Sequence, residues 1–186
     1  MFTRIRRTLV ALAIASTLAF AGLVVPPSSS AIVEQPLTFN LRTTDGGAIS
    51  SEMLRGDVVV LAFGASWLPL SRAQVEGVQQ VADEYRDRSV RVYWVSTDSE
   101  SPKSKNHATD AQLREFAKKN GLKIAVLRDP DGALFKQIVA DRQLPAVVIL
   151  DRQGNISGAP VGGLDPNSKL VDKLAPRLSA LLQSGN

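Results

Sequence analysis

The sequence predicts an α/β domain with a mixed central sheet flanked by helices and an N-terminal strand extension. Three observations carry this reading. Val58-Val59-Val60-Leu61-Ala62-Phe63 is a continuous apolar, largely β-branched run, the mark of a strand covered on both faces. Helical spacing follows it, with Val75, Val78, Ala82 and Tyr85 recurring between Ser71 and Tyr85. Strand-like and helix-like segments then alternate along the rest of the chain, an order that gives a mixed sheet ending in a hairpin and a helix.

Each element has its own local warrant. Leu37, Phe39 and Leu41 alternate with polar residues, as in a half-buried strand, and Asp45-Gly46-Gly47 is a turn. Val90, Val92 and Trp94 alternate against Arg91, Tyr93 and Val95 in a second strand ending at Ser96. Ser99 to Asn106 is a polar loop. Thr109 and Gln112 then form a capping-box pair ahead of Leu113, Phe116 and Ala117, and Gly121 ends that helix. Ile124 to Leu127 reads as a short strand, and Asp129-Pro130-Asp131-Gly132 as a turn into a helix reaching about Val139. Ala146 to Leu150 is a strand, and Asp151-Arg152-Gln153-Gly154 turns it toward an antiparallel partner near Asn155 to Ser157. Gly162-Gly163 reads as a bend. Asp165-Pro166 reads as N-cap and first residue of a last helix, which buries Leu170, Leu174, Leu178 and Leu181 and carries a kink at Pro176.

Residues 1–31 form a separate segment. Arg4, Arg6 and Arg7 precede an apolar run from Leu9 to Val25, and Ser29-Ser30-Ala31 is a small-residue tripeptide suited to signal-peptidase cleavage; Ala19-Phe20-Ala21 is a second candidate. The apolar run is about 17 residues, at the lower limit for spanning a bilayer. The segment is thus a cleaved signal peptide or a membrane anchor through residues 9–25. Either reading places the domain outside the cytoplasm, in a periplasmic or other extracytoplasmic space. Residues 32–36 are a connector, and 37–183 the domain. The formal charge of +4 owes much to the leader, which contributes three arginines and no acid. No basic stripe with interleaved aromatics points to nucleic acid. The chain has no cysteine, although an exported protein is allowed disulfides.

Three segments resemble the TlpA/ResA-like branch of the thioredoxin-like (redoxin) superfamily, exported thiol–disulfide reductases linked to membranes. Gly56-Asp57-Val58-Val59-Val60-Leu61-Ala62-Phe63-Gly64-Ala65-Ser66-Trp67 is similar to that branch's G-K-x-V-L-V-N-F-W-A-S-W. Leu144-Pro145-Ala146-Val147-Val148-Ile149-Leu150-Asp151-Arg152-Gln153-Gly154 is similar to x-P-T-T-F-L-I-D-x-x-G. Asp129-Pro130-Asp131-Gly132 stands where these proteins often carry a D-x-x-G turn. The resemblance implies a thioredoxin-like fold with Pro145 as a cis-proline facing the helix start. It also implies that Trp67, Leu68, Pro69, Leu70 and Ser71 occupy a degenerate active site. Leu68 replaces the attacking cysteine and Ser71 the resolving one, Gly64 stands where an aromatic is usual, and Leu70 where proline is frequent.

The residue chemistry agrees with degeneracy. A helix N-terminus lowers the pKa of a cysteine placed there, but leucine offers nothing to ionise. Disulfide exchange and thiol peroxidase chemistry both begin from a thiolate. Ser71 with His107, the one histidine, is a conceivable nucleophile–base pair; the plainer reading makes Ser71 a helix cap and His107 a solvated side chain. One histidine and no cysteine make a poor zinc set, and Asp129 and Asp131 lack the remaining ligands of a calcium loop. No cofactor or metal is expected. Trp67, Leu68, Leu70, Leu144 and Pro145 remain as an apolar patch, a contact surface for a polypeptide partner in the cell envelope. Alternatively, Leu68 or Leu70 tucks inward, or the connector covers the patch. The sequence thus predicts an exported binding or structural module without thiol redox activity. The alternative, by family, is a TlpA-like thiol–disulfide oxidoreductase or peroxidase. Contact with a membrane is expected only through an uncleaved N-terminal segment.

Overall fold

The centre of the sheet is β3 (Val58–Gly64), every residue of which is buried. Its apolar run lies between parallel β4 (Val90–Ser96) and antiparallel β6 (Ala146–Leu150), with Val60 opposite Val92 on one side and Ile149 on the other. The computed structural model describes residues 35–162 and 168–184. Among these, seven strands form one mixed sheet in the order β2-β1-β5-β4-β3-β6-β7. The remaining strands are β1 (Asn40–Thr43), β2 (Ala48–Ser50), β5 (Val126–Arg128) and β7 (Val161–Gly162). β5 runs parallel to β4 and antiparallel to β1, and β7 closes the far edge against β6.

Alternation along β3 divides the core into two layers. Val58, Val60 and Ala62 face α1 (Pro69–Glu84), α2 (Asp110–Lys119) and α4 (Leu170–Gln183), packing with Val75, Val78, Trp94, Leu113, Leu174 and Leu178. Val59, Leu61 and Phe63 face α3 (Ala133–Ile138) and the N-terminal strand region, packing with Phe39, Val95, Leu134, Phe135 and Val148. The architecture is the expected α/β one, a mixed sheet flanked by helices.

Several local expectations need correction. Leu37, Phe39 and Leu41 are buried, but the ladder begins only at Asn40. Val95, on the opposite side of β4 from Val90, Val92 and Trp94, is buried as well, because α3 covers the second face of the strand. β5 begins at Val126, two residues late, where its backbone meets Trp94. The turn after β6 leads only to an isolated bridge, Leu150 with Ile156; the paired strand is β7, so Gly162 is a strand residue and not a bend. α1 begins at Pro69, not Ser71. α4 begins at Leu170 with Lys169 as its cap; Asp165 and Pro166 lie outside the described residues, as do Gly163 and residues 1–31. Leu181 is only partly buried against the core. The capping box of Thr109 and Gln112 forms as expected.

Candidate functional site

β3 ends at Gly64, and the chain turns through Ala65, Ser66 and Trp67 into α1. Pro69 occupies the first turn of this helix, where its fixed φ and missing N–H carry no penalty. Leu68 is the N-cap, with extended backbone and no side-chain cap hydrogen bond. Ser71, one turn in, is therefore not the cap. It is fully buried, and its Oγ accepts from the Ala65 N–H at 3.0 Å.

A buried carboxylate holds this turn to the end of β4. Asp98 is fully buried and accepts from the Ser66 N–H at 2.9 Å, the Ser66 hydroxyl at 2.8 Å and the Ser96 hydroxyl at 2.7 Å. Thr97 adds its N–H and hydroxyl to the Gly64 carbonyl at 2.8 and 3.1 Å. Behind the turn lies a second polar cluster. Gln74, 1% exposed, donates to the carbonyls of Phe63 and Ala146 and accepts from the Trp94 indole N–H at 3.2 Å. Gly64 makes room for it. A Cβ there would stand 2.7 Å from Gln74 Oε1, 2.9 Å from Ser71 Oγ and 2.9 Å from Trp94 Nε1.

The Leu144–Pro145 peptide bond is cis. Pro145 is buried, so it shapes the surface rather than presenting a side chain, and Leu144 and Leu68 are half-buried. Trp67 is 53% and Leu70 48% exposed. Trp67 and Leu144 line one cavity of about 290 Å³ together with Phe135, Asp131, Lys136 and Arg142. Larger cavities of about 450 and 430 Å³ share no residue with it.

The structure does not join Ser71 to His107. The serine hydroxyl is held by Ala65, while His107 is partly buried and its Nδ1 lies 3.1 Å from the Ser99 carbonyl, which requires the ring to donate there. No nucleophile–base pair is formed, and His107 is a partly exposed side chain tied to its own loop. Among the described residues no group of three or more His, Asp and Glu side chains is arranged to hold a metal ion. Asp129 is more than a turn residue. It is buried and accepts from the Leu134 and Phe135 N–H groups at 2.9 and 2.8 Å. Burial raises its pKa above the usual aspartate value, against those backbone bonds. Arg42 bonds both Asp110 and Glu100, and the Asp110 carboxyl is held below its ordinary pKa chiefly by that hydrogen bond. Buried Arg128 lies beside the same two acids.

Asp98, Gln74, Lys136 and Arg142 went unmarked in the sequence. Asp98 carried a usable signal: it stands just past the C-terminal end of a parallel strand, where sites in open α/β sheets gather.

This geometry, a strand–turn–helix with a cis-proline just before the strand paired antiparallel to it in a mixed sheet, is that of a thioredoxin-like protein, and the comparisons agree. The family model described as AhpC/TSA family matches residues 33–159, and the chain belongs to that family. The Thioredoxin-like protein YneN of Bacillus subtilis (strain 168) is 29% identical over 132 residues, 69% of this chain and 71% of that protein. Among solved structures, MTB DsbF in mixed oxidized and reduced forms is 29% identical with a TM-score of 0.60, over 77% of this chain and 94% of that one. The exposed lipoprotein thioredoxin Etrx1 of Streptococcus pneumoniae strain TIGR4 is 25% identical with a TM-score of 0.58, over 75% and 99%.

Proposed function

We propose that this is an exported, thioredoxin-like protein without thiol redox activity that binds a polypeptide of the cell envelope through the surface around Trp67–Ser71 and Pro145. The observation that carries the reading is the exposure of apolar side chains where the fold would place a redox pair. Three large hydrophobic residues are well exposed among the described residues, and two of them stand together here, Trp67 on the turn and Leu70 in the first turn of α1. Large apolar groups held in water at one place favour burial against a partner. The first and fourth positions of the turn are Leu68 and Ser71, and the chain contains no cysteine. Thiol exchange on this chain alone therefore lacks its nucleophile. The extracytoplasmic location is supported by the leader at residues 1–31 and by the likeness to an exposed lipoprotein.

The test is site-specific photo-crosslinking in cells that make the full chain. A benzoylphenylalanine at Leu70 is expected to capture a discrete polypeptide, and one at Glu84, at the far end of α1, is not. The adduct should vanish in a Trp67→Asp background. Equal labelling from both positions, or none from Leu70, would overturn the reading. Insulin reduction by the pure protein is expected to stay at the buffer rate, and turnover above it would return the chain to the oxidoreductases.

A further inference from the structure

The cavity beside Trp67 has a chemical character of its own. Phe135, 4% exposed, and half-buried Leu144 give it apolar lining beside the indole of Trp67. Lys136 and Arg142 line it as exposed cations, against the one carboxylate of Asp131. Neither cation is in a salt bridge among the described residues. Arg142 also sits at φ 52°, a left-handed conformation that favours glycine, so the backbone does not account for an arginine there. At about 290 Å³ the cavity is at the lower end of ligand pockets, the size for one large side chain rather than a cofactor.

We propose that this cavity receives an apolar side chain from an acidic polypeptide segment, whose carboxylates meet Lys136 and Arg142. The inference rests on the reading of this surface as polypeptide-binding and names the chemistry of the partner. An aromatic or leucine side chain is desolvated between Trp67, Phe135 and Leu144, which anchors the segment. The two cations discriminate. Each exposed pair adds little alone, but together they favour acidic segments, repel basic ones and speed encounter.

The chain contains its own reporter. Of its two tryptophans, Trp94 is fully buried and Trp67 is 53% exposed, so fluorescence accessible to acrylamide reports Trp67. Three capped peptides are titrated against the full chain: acetyl-Glu-Glu-Leu-Phe-Glu-Glu-amide, its glutamine counterpart and its lysine counterpart. The glutamate peptide is expected to shield Trp67 and to bind about tenfold tighter than the glutamine peptide at low ionic strength. High salt and the double variant Lys136→Glu/Arg142→Glu should each erase that preference. Both substituted side chains are exposed, and an unchanged thermal midpoint confirms folding. Equal affinity for the glutamate and glutamine peptides overturns the inference, as does a preference that survives the double reversal. If all three peptides shield Trp67 alike, only the acidic preference falls and the polypeptide-binding reading stands. If none does, the inference falls, and cross-linking from Leu70 decides whether the broader reading falls with it.

Discussion

Gly64 is the residue on which the interior of the site turns. It stands where related proteins usually carry an aromatic, and the space so released holds the Gln74 amide, the Ser71 hydroxyl and the Trp94 indole. Gly64→Ala is expected to cost about 1–3 kcal/mol, because its Cβ would enter three contacts shorter than 3 Å and push apart polar groups that satisfy one another. Chemical denaturation checks it, and a neutral result would show that the cluster yields easily. Gln74 was illegible beforehand. A glutamine beside Val75 and Val78 reads as the polar side of an amphipathic helix, and only the open carbonyls of Phe63 and Ala146 explain its burial. The cis bond at Pro145 was legible, but only through resemblance. Asp129 gives a prediction in pH. Its pKa is raised in the folded protein by burial, so the native state holds that proton to higher pH than the unfolded chain does. Its contribution to stability is thus largest in acid and falls as pH rises through the window just above the ordinary aspartate range. The stability difference between wild type and Asp129→Asn should shrink across that window. A difference that grows with pH would mean that the carboxylate is stabilised as the anion.

At the scale of elements, α1 and α4 show how close packing overrides propensity. Gly77 lies inside α1, where alanine normally gains about 1 kcal/mol. Here a Cβ would stand 2.9 Å from the Leu170 Cβ on α4. Gly77→Ala is therefore expected to lower the thermal midpoint, and a rise would show that the helices separate at little cost. Element legibility followed coverage. β3 and β6 match their sequence runs to within a residue, since strands buried on both faces write themselves as unbroken apolar runs. β5 was displaced because Ile124 and Ala125 are as apolar as the residues that pair, while Arg128, its last residue, is charged yet buried beside Glu100 and Asp110. Nothing local distinguishes such an arginine from a surface one. The start of α1 differs from the expectation for a related reason: serine is a favoured cap, but Pro69 sets the first turn.

For the whole molecule, the prediction comes from residues 1–31, read as a signal peptide or an anchor. Cleavage after Ala31 should yield a product beginning at Ile32 and lacking three positive charges, which intact-mass measurement on the exported fraction would detect. Full-length mass in the membrane fraction would establish the anchor instead. The mixed topology was foreseeable from the order of elements. The identity of the edges was not, since β1 and β2 join through β5, and the strand that pairs with β6 is the two-residue β7 rather than the segment just after the turn. Those edges bear on aggregation. Residues 58–63 form a six-residue apolar stretch without charge or proline, the composition that seeds amyloid when it is free to pair. In the fold that stretch is hydrogen-bonded on both sides, and the sheet ends on strands of three and two residues, too short to template another chain. Fibre formation should therefore be gated by loss of the native state and not by its concentration, so that variants which only lower stability would also shorten the lag before fibres appear.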